Sequence, residues 1–323
     1  MTLARFKRVL AMDSEAAAMT LIAVCVIFSA INERFRSGLN IHGIIVSASI
    51  SAITGLGMTL IIAMRAIDLS VGSVMGLSAI VAAELLMDGL PVWLAITIGL
   101  LAGGVLGFCN GLLIVLLRLP SFIATLATLS MIRGAELLIT HGETVSVHNG
   151  VFSRMVITDM WDHVPAAAGI AAVVFACVWI VFHRTPFGRH VVAIGGDIRA
   201  AVGAGIDVSR VTIAAFTLSG LCAALSGLMA AAELQNADST IGAGMELTSI
   251  AAVVVGGTSL TGGRGNLFGT MCASLLFAAI QAALNIADVP SLYEDLVFGG
   301  ILILALMVDG LRRDMRRRGM LVL

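Results

Sequence analysis

Apolar runs long enough to cross a lipid bilayer recur along almost the whole chain. Each run is rich in Ala, Leu, Ile, Val and Gly, and a helix that spans a bilayer needs about 20 predominantly apolar residues. The runs are continuous and do not alternate apolar with polar residues, which excludes a transmembrane β-barrel. Ten runs can be drawn, at residues 16–31, 41–64, 71–87, 92–117, 121–140, 165–182, 211–234, 247–260, 267–287 and 292–308. The sequence therefore predicts an all-α polytopic membrane protein of about ten helices, with residues 1–323 forming a single domain.

Composition excludes several functional classes. The chain is 59% hydrophobic and 12% charged, whereas soluble domains average ~25% charged residues. Its single lysine is Lys7, so a Gly-x-x-x-x-Gly-Lys-Ser/Thr phosphate-binding loop is impossible and any nucleotide must bind to another polypeptide. The six histidines lie at the edges of the runs or in loops, without the paired helical spacing of a metal site. We therefore expect neither a catalytic centre, nor a metal, nor a cofactor in this chain.

Basic residues predict the orientation of the helices. Short cytoplasmic loops of membrane proteins carry an excess of Lys and Arg. With ten helices and a cytoplasmic amino terminus, all of the 19 basic residues except Arg34, Arg36, Arg133 and Arg154 fall on the cytoplasmic side or in the tails. Charge and hydropathy thus agree on an even number of helices with both termini in the cytoplasm. Basic clusters at membrane boundaries also leave no reason to expect a nucleic-acid partner.

The longest basic interruption, residues 184–210, divides the chain into halves of about 1–183 and 211–323. The segment 197–203 is long enough for a short helix, and glycines stand on both sides where a helix could end. An ordinary solvated loop and a docking site for a partner protein both fit this pattern. The residues that would form the docking site are Gly195, Gly196, Asp197, Arg199, Ala200, Ala201, Gly203 and Gly205.

Two links on the predicted cytoplasmic side interrupt the apolar runs with polar residues and glycine. Broken helices survive at membrane depth only when protein covers them or they line a wet cavity. Asp68 either caps the helix that follows it or has a direct substrate role; the cap is the simpler interpretation. The residues of the two links are Asp68, Ser70 and Gly72 in the first, and Gly256, Gly257, Thr258, Gly262, Gly263 and Gly265 in the second.

The fifth run carries a polar stripe. At 100° per residue, its polar side chains fall in an arc of roughly 140°, and such a stripe should face protein or water rather than lipid. Arg133 and Glu136 are three residues apart and can pair. The stripe either lines a hydrophilic path or joins helices through hydrogen bonds. Its residues are Ser121, Thr125, Thr128, Arg133 and Glu136.

Four segments together resemble the permease subunits of bacterial ribose/xylose/arabinose-type ATP-binding-cassette (ABC) importers. These segments are GLGMTLIIAMRAIDLSVGSVMGLSA at 55–79, PSFIATLATLSMIRG at 120–134, the basic segment 184–210 with FTLSGLCAALSG at 216–227, and IAAVVVGGTSLTGGRGNLFGT at 250–270. They occur in the order that is typical of the family and cover nearly the whole chain. One departure is Ala66, where such permeases usually have glycine before the Ile-Asp-Leu-Ser segment.

The resemblance implies a fold similar to the vitamin B12-type (type II) importer permeases, in the bacterial inner membrane. It implies ATPase subunits that bind ATP-Mg, a periplasmic sugar-binding protein, and a second permease copy or a paralogue. In that fold the loop between the sixth and seventh helices carries the coupling helix, which is the segment 184–210 here. Ala200, Ala201 and the flanking glycines would contact the ATPase closely and Arg199 would add a charge. The fifth helix lines the path.

Other transport classes remain open at this point. The solute could be a pentose, a hexose, a polyol, a nucleoside or a furanose signal. A secondary transporter driven by an ion gradient is disfavoured because few acidic residues lie within the apolar runs. An intramembrane enzyme is disfavoured because no helix carries a cluster of carboxylates or histidines.

Overall fold

Twelve α-helices make up most of the part of the chain that the computed structural model describes. That part is residues 3–147, 149–161 and 164–290, with Tyr293, Leu296, Gly299, Gly300, Ile303 and Met307; residues 3–16 are described by backbone only. The helices are α1 Leu3–Ile31, α2 Gly38–Ala63, α3 Val71–Met87, α4 Val92–Leu117, α5 Ser121–Thr140, α6 Gly150–Ile157, α7 Ala166–Arg184, α8 Pro186–Gly196, α9 Ile198–Gly203, α10 Val208–Leu234, α11 Met245–Val255 and α12 Leu267–Ile286. Two-stranded pairings join β1 Val145–Ser146 to β4 Asn236–Ala237 and β2 Asp159–Trp161 to β3 Val164–Pro165.

Six described helices, α2, α4, α5, α7, α10 and α12, are long and apolar enough to cross a membrane. Residues 17–31 of α1, and the shorter α3 and α11, are also apolar. Nine of the ten predicted runs therefore coincide with helices, and the bounds of α3, α4 and α5 match the prediction residue for residue. The tenth run, residues 292–308, lies almost entirely outside the described residues, as do the carboxyl-terminal arginines.

Helix α2 is the centre of the bundle. Residues 48–63 are all buried, as expected of a helix that is apolar around its whole circumference and is enclosed by others. It packs against α7, α10, α11 and α12. Helix α10 packs in turn against α3 and α4. The α4–α10 crossing is close because Gly103 and Gly107 of α4 face Gly220 of α10, where no Cβ would fit.

The outer helices expose apolar side chains. In α4, for example, Leu101, Val105 and Phe108 are exposed, and in α5 Leu126 and Met131 are exposed. So large an apolar surface on a soluble monomer would promote association. On a membrane protein it is the surface that contacts lipid or another membrane subunit.

The helix ends define two faces of the bundle. The basic face is formed by residues 64–66, 184–208 and 259–266, where the ends of α2, α7 and α11 meet the starts of α10 and α12. The opposite face carries α6 and both strand pairings. There the side chain of Asn149 caps α6, and Nε2 of His42, near the start of α2, lies 3.2 Å from Oδ1 of Asp159.

Candidate functional site

The basic segment folds into two consecutive helices, α8 and α9, where the sequence predicted one. Pro186 begins α8 at a position where its missing N–H costs nothing. The amphipathic spacing of Val191 and Ile194, both buried, is the signal that reveals this helix. The predicted short helix is present as α9. The side chain of Asp197 caps it, accepting hydrogen bonds from the amides of Arg199 (2.8 Å) and Ala200 (3.2 Å).

The surface that α9 presents differs from the expectation. Ala201 is only 3% exposed and packs against the body of the protein, so its side chain does not face outward for a partner. Ile198 and Val202 are 53% and 60% exposed. They are four residues apart and lie on one side of the helix. Exposed Arg199, Ala200 and Gly203 stand beside them. A six-residue helix has too few turns for the hydrophobic pattern to identify this face from sequence.

Gly195 is a packing position in α8 and does not end a helix. A Cβ on Gly195 would meet the carbonyl oxygen of Ala63 and lie 2.5 Å from the amide nitrogen of Gly263. The same carbonyl accepts a hydrogen bond of 2.9 Å from that amide. The end of α2, the end of α8 and the 259–266 turn therefore meet through backbone atoms. We call this meeting of Ala63, Gly195, Gly262 and Gly263 the three-way junction.

The glycines of the link after α11 allow the close backbone contacts of the three-way junction and of the helices around it. Gly262 and Gly263 have φ values of +76° and +77°, a conformation that glycine adopts without steric cost. Gly256 lies against the backbone of Gly269 and Thr270, and Gly265 lies against the ring of Phe182. Gly257 and Gly205 also have positive φ. The hydroxyl of Thr258 accepts a hydrogen bond from the amide of Asn266, which closes the loop at 3.0 Å.

The first broken link, residues 64–70, is non-helical backbone within the bundle. Two hydroxyls of α5 satisfy its amides: Oγ of Ser121 accepts from Ile67 N and Oγ1 of Thr125 accepts from Leu69 N, both at 3.0 Å. Buried non-helical backbone in a membrane protein needs such partners. Ser121 and Thr125 therefore join α5 to the link between α2 and α3. The sequence alone could not show that Ile67 and Leu69 are their partners.

Asp68 is 2% exposed and held by hydroxyl groups. Its Oδ1 accepts from the amide and the hydroxyl of Ser70 at 3.0 and 2.6 Å, and its Oδ2 accepts from the hydroxyl of Ser219 at 3.2 Å. The amide of Asn110 donates to the Ser70 hydroxyl at 2.8 Å. Asp68 thus fixes the turn just before α3. It does not cap the helix as the simpler interpretation expected, because the residue at the N-cap position is Ser70 and the amide bonded to Asp68 is that of Ser70, not one from the first turn of α3.

Helices α3 and α11 begin close together inside the bundle. Gly72, in the first turn of α3, lies against the backbone of Gly242, just before α11. The segment 235–244 therefore returns from the end of α10 into the bundle. Arg133 holds this re-entrant segment: its guanidinium donates to the carbonyls of Ser239 (2.7 Å) and Ile241 (3.0 Å).

The predicted Arg133–Glu136 pair is confirmed, with Nη1 2.8 Å from Oε2. The Glu136 side chain is completely buried. A buried carboxylate needs such a partner because desolvation of a charge is costly. The stripe thus faces away from lipid, as predicted, and Arg133 in its outer half anchors the re-entrant segment. Thr128 bonds only its own helix, through Thr125 O at 3.2 Å.

Asp238 lies on the re-entrant segment near the opposite face. A hydrogen bond from the side chain of Thr240 is the largest effect and lowers the pKa of its carboxyl below the ordinary value of 3.8, whereas burial opposes it and the amide of Thr240 adds to the lowering. Thr144 and the amide of Ile241 add to the lowering. Asp238 is therefore ionised at neutral pH and acts as a turn anchor. Among the described residues, no group of three His, Cys, Asp or Glu is placed to hold a metal ion.

Comparisons with known proteins give the chain relatives along almost its whole length. The sequence model of a family described as "Branched-chain amino acid transport system / permease component" matches residues 40–306. The ribose import permease protein RbsC of Haemophilus influenzae is 36% identical over 90% of this chain and 91% of its own. The L-arabinose ABC transporter permease protein AraH of Azospirillum brasilense is 34% identical over 88% and 83%. The D-allose transport system permease protein AlsC of Escherichia coli is 34% identical over 90% and 89%. No solved structure matches the chain.

Proposed function

The chain belongs to this family of transport-system permease components, and we propose that it is the membrane subunit of an ABC importer for a monosaccharide. The observation that carries the proposal is similarity over about nine-tenths of the chain to relatives named for ribose, L-arabinose and D-allose import. These solutes are all uncharged monosaccharides. A pentose, a hexose or a polyol fits this group, and the binding protein would make most of the choice among them.

We place the basic face in the cytoplasm and the opposite face in the periplasm. Arg65, Arg184, Arg189, Arg199 and Arg210 all lie at or between helix ends on the basic face, as the positive-inside rule expects. With ten crossings both termini are cytoplasmic. The short helices α3 and α11, each next to a non-helical link, support the type II importer fold for this bundle, as does the pair of short helices α8 and α9 between α7 and α10.

The surface for the ATPase is the exposed side of α9. Ile198 and Val202 form a small apolar patch beside Arg199, and apolar anchors next to arginine are common at protein interfaces. This chain would hold no cofactor; ATP-Mg would bind to the ATPase subunits. ATP-driven closure of the ATPases would move α9, and through α8 the three-way junction.

The remaining partners are the lipid, a periplasmic sugar-binding protein and a second permease copy or a paralogue. The exposed apolar face of α5 suits a helix next to the second subunit. We retain Thr128 as a candidate lining residue of α5, because its hydroxyl binds only its own helix. Ser121, Thr125, Arg133 and Glu136 would act by shaping the path, since their polar atoms hold neighbouring segments.

Affinity purification from the membranes of the native host tests the assignment. A tagged permease in mild detergent should retain an ATPase and, with sugar present, a sugar-binding protein that stimulates ATP hydrolysis. An intact permease that retains no ATPase under these conditions contradicts the proposal.

A further inference from the structure

Two neighbouring clefts follow one another from the opposite face into the bundle, and we call them together the groove. The deeper cleft, of about 430 Å³, lies between α2, α10, α12 and the re-entrant segment. The outer cleft, of about 560 Å³, runs between the starts of α2 and the end of α12. Ser47, Ala278 and Gln281 line both clefts, so the two clefts adjoin along the α2–α12 boundary.

The walls of the groove are mixed, with polar side chains set among apolar ones such as Ile50, Met245 and Phe277. Asn40, Ser47 and Ser51 line it from α2, and their spacing of seven and four residues places them on one side of the helix. Gln281 and Asn285 line it from α12. Polar side chains on spanning helices face protein or water, and these line the two sides of an open space between α2 and α12.

The groove reaches well below the membrane surface. Ser51 stands 13 residues after the first residue of α2, which is ~20 Å along a helix axis. The hydrocarbon core of a bilayer is about 30 Å thick. Met75 and Thr248, the fifth residue of α3 and the fourth of α11, also line the deeper cleft. The groove therefore ends where these two helices begin.

Ser51, at the inner end of the groove, has the features of a residue that binds a ligand. Ser51 is 8% exposed as a residue, and its hydroxyl oxygen is buried without a hydrogen-bond partner in the described part of the chain. A buried hydroxyl without a partner costs about 1–3 kcal/mol, so a hydroxyl of this kind in the wall of a cleft is suited to bind a solute or water that enters the cleft. The neighbouring Ser49, in contrast, donates to the carbonyl of Ile45 at 2.7 Å.

We propose that this groove is the outer part of the translocation route and that Ser51 is a binding position for the hydroxyl groups of an uncharged, polyhydroxylated solute. For the identity of the solute, the inference rests on the proposed function. The walls of the groove supply hydroxyl and amide groups, and its charged lining residues are Arg34 at the mouth and Glu233 deeper in. Hydroxyls and amides both donate and accept hydrogen bonds, which matches a sugar.

Cysteine accessibility tests the groove without requiring transport. Ser51→Cys and Ser49→Cys are each introduced into the assembled transporter after its five native cysteines are replaced, and vesicles are treated with a charged thiol reagent. Ser49 lines a different cleft, of about 260 Å³, with the apolar residues Ile45, Ala48, Ala52 and Leu275 among its neighbours. We expect Ser51→Cys to react at least about tenfold faster, because a charged reagent is excluded from apolar surroundings. Equal rates at the two positions, or no reaction at Ser51→Cys, would overturn the proposal.

Uptake by matched leucine variants tests the solute role. Ser51→Leu should abolish uptake of labelled D-ribose, L-arabinose or D-allose by the reconstituted transporter, whereas Ser49→Leu, in an apolar cleft, should retain most of it. If the unaltered transporter carries none of these sugars, the proposed function is contradicted. The labelling result still shows whether the groove is open to water at position 51. Normal uptake with Ser51→Leu refutes the route.

Discussion

The amide nitrogen of Gly263 donates a hydrogen bond of 2.9 Å to the carbonyl oxygen of Ala63, across the basic face. Ala63 ends α2, the most enclosed helix of the bundle, and Gly263 belongs to the link between α11 and α12. Gly195 of α8 packs against the same carbonyl. Asp197 alone separates α8 from α9. A displacement of α9 is therefore transmitted through α8 to the end of α2 and to the link between α11 and α12.

The three-way junction predicts a large difference between two adjacent glycines. A Cβ in Gly195→Ala would collide with backbone atoms of Ala63 and Gly263, which cannot move as a side chain can. Overpacking of this kind costs ~1–3 kcal/mol. The Gly196→Ala variant meets nothing within 4 Å. We expect sugar-stimulated ATP hydrolysis to fall strongly in Gly195→Ala and to change little in Gly196→Ala; equal behaviour of the two contradicts the junction.

The exposed patch on α9 predicts a loss of coupling without a loss of folding. Val202→Asp places a charge at the centre of the proposed apolar contact, and desolvating an unpaired charge in an interface costs several kcal/mol. The variant should assemble in the membrane, bind the ATPase at least about tenfold more weakly and lose uptake. Ser209→Asp, an exposed position at the start of α10, is the control. Unchanged ATPase binding by Val202→Asp would exclude this surface from docking.

The pair of partly buried Arg133 and fully buried Glu136 predicts an asymmetric double-mutant cycle. Arg133→Met leaves the buried Glu136 carboxylate uncompensated and frees two carbonyls of the re-entrant segment, so we expect a loss of ~3–5 kcal/mol. Arg133→Met combined with Glu136→Leu should recover part of that loss, because no buried charge remains. Thermal unfolding in detergent measures the stability of the single and the double variant. A double variant less stable than Arg133→Met would show that charge compensation is not the reason.

The hydroxyl of Thr125 predicts a structural effect that Thr128 does not share. Thr125→Val keeps the shape and removes the acceptor of the Leu69 amide, and a buried donor without a partner costs about 1–3 kcal/mol. Thr128→Val removes a bond within its own helix only and should leave the unfolding temperature nearly unchanged. If Thr128→Val nevertheless lowers sugar uptake severalfold, its role is in the path; if it does not, the stripe on α5 is purely structural.

Helix positions and the direction of the stripe could be predicted because each depends on local periodicity. The α5 stripe had to face away from lipid, and its arc was readable from 20 residues. Its partners were not readable, since Ser121 and Thr125 bind Ile67 and Leu69, more than 50 positions away in the chain. Only the fold brings those segments together.

In short helices and in helices that are apolar all round, the sequence could not predict which side chains are buried and which are exposed. A helix as short as α9 has no periodicity that would show Ala201 buried and Val202 exposed. Gly195 was assigned to a helix end because glycine often has that role, but a close backbone approach is equally compatible with glycine. Ser47 and Ser51 escaped notice because Ser49 interrupts their pattern on a helix that is apolar over most of its length.

Uptake by the reconstituted transporter tests the central claim most directly. Proteoliposomes that contain the permease, its ATPase and its sugar-binding protein are supplied with labelled D-ribose, L-arabinose and D-allose, with ATP or a non-hydrolysable analogue at the ATPase side. We predict that at least one sugar accumulates above its external concentration only when ATP is hydrolysed. Accumulation that persists with the analogue and collapses when proton and sodium gradients are dissipated would contradict the account.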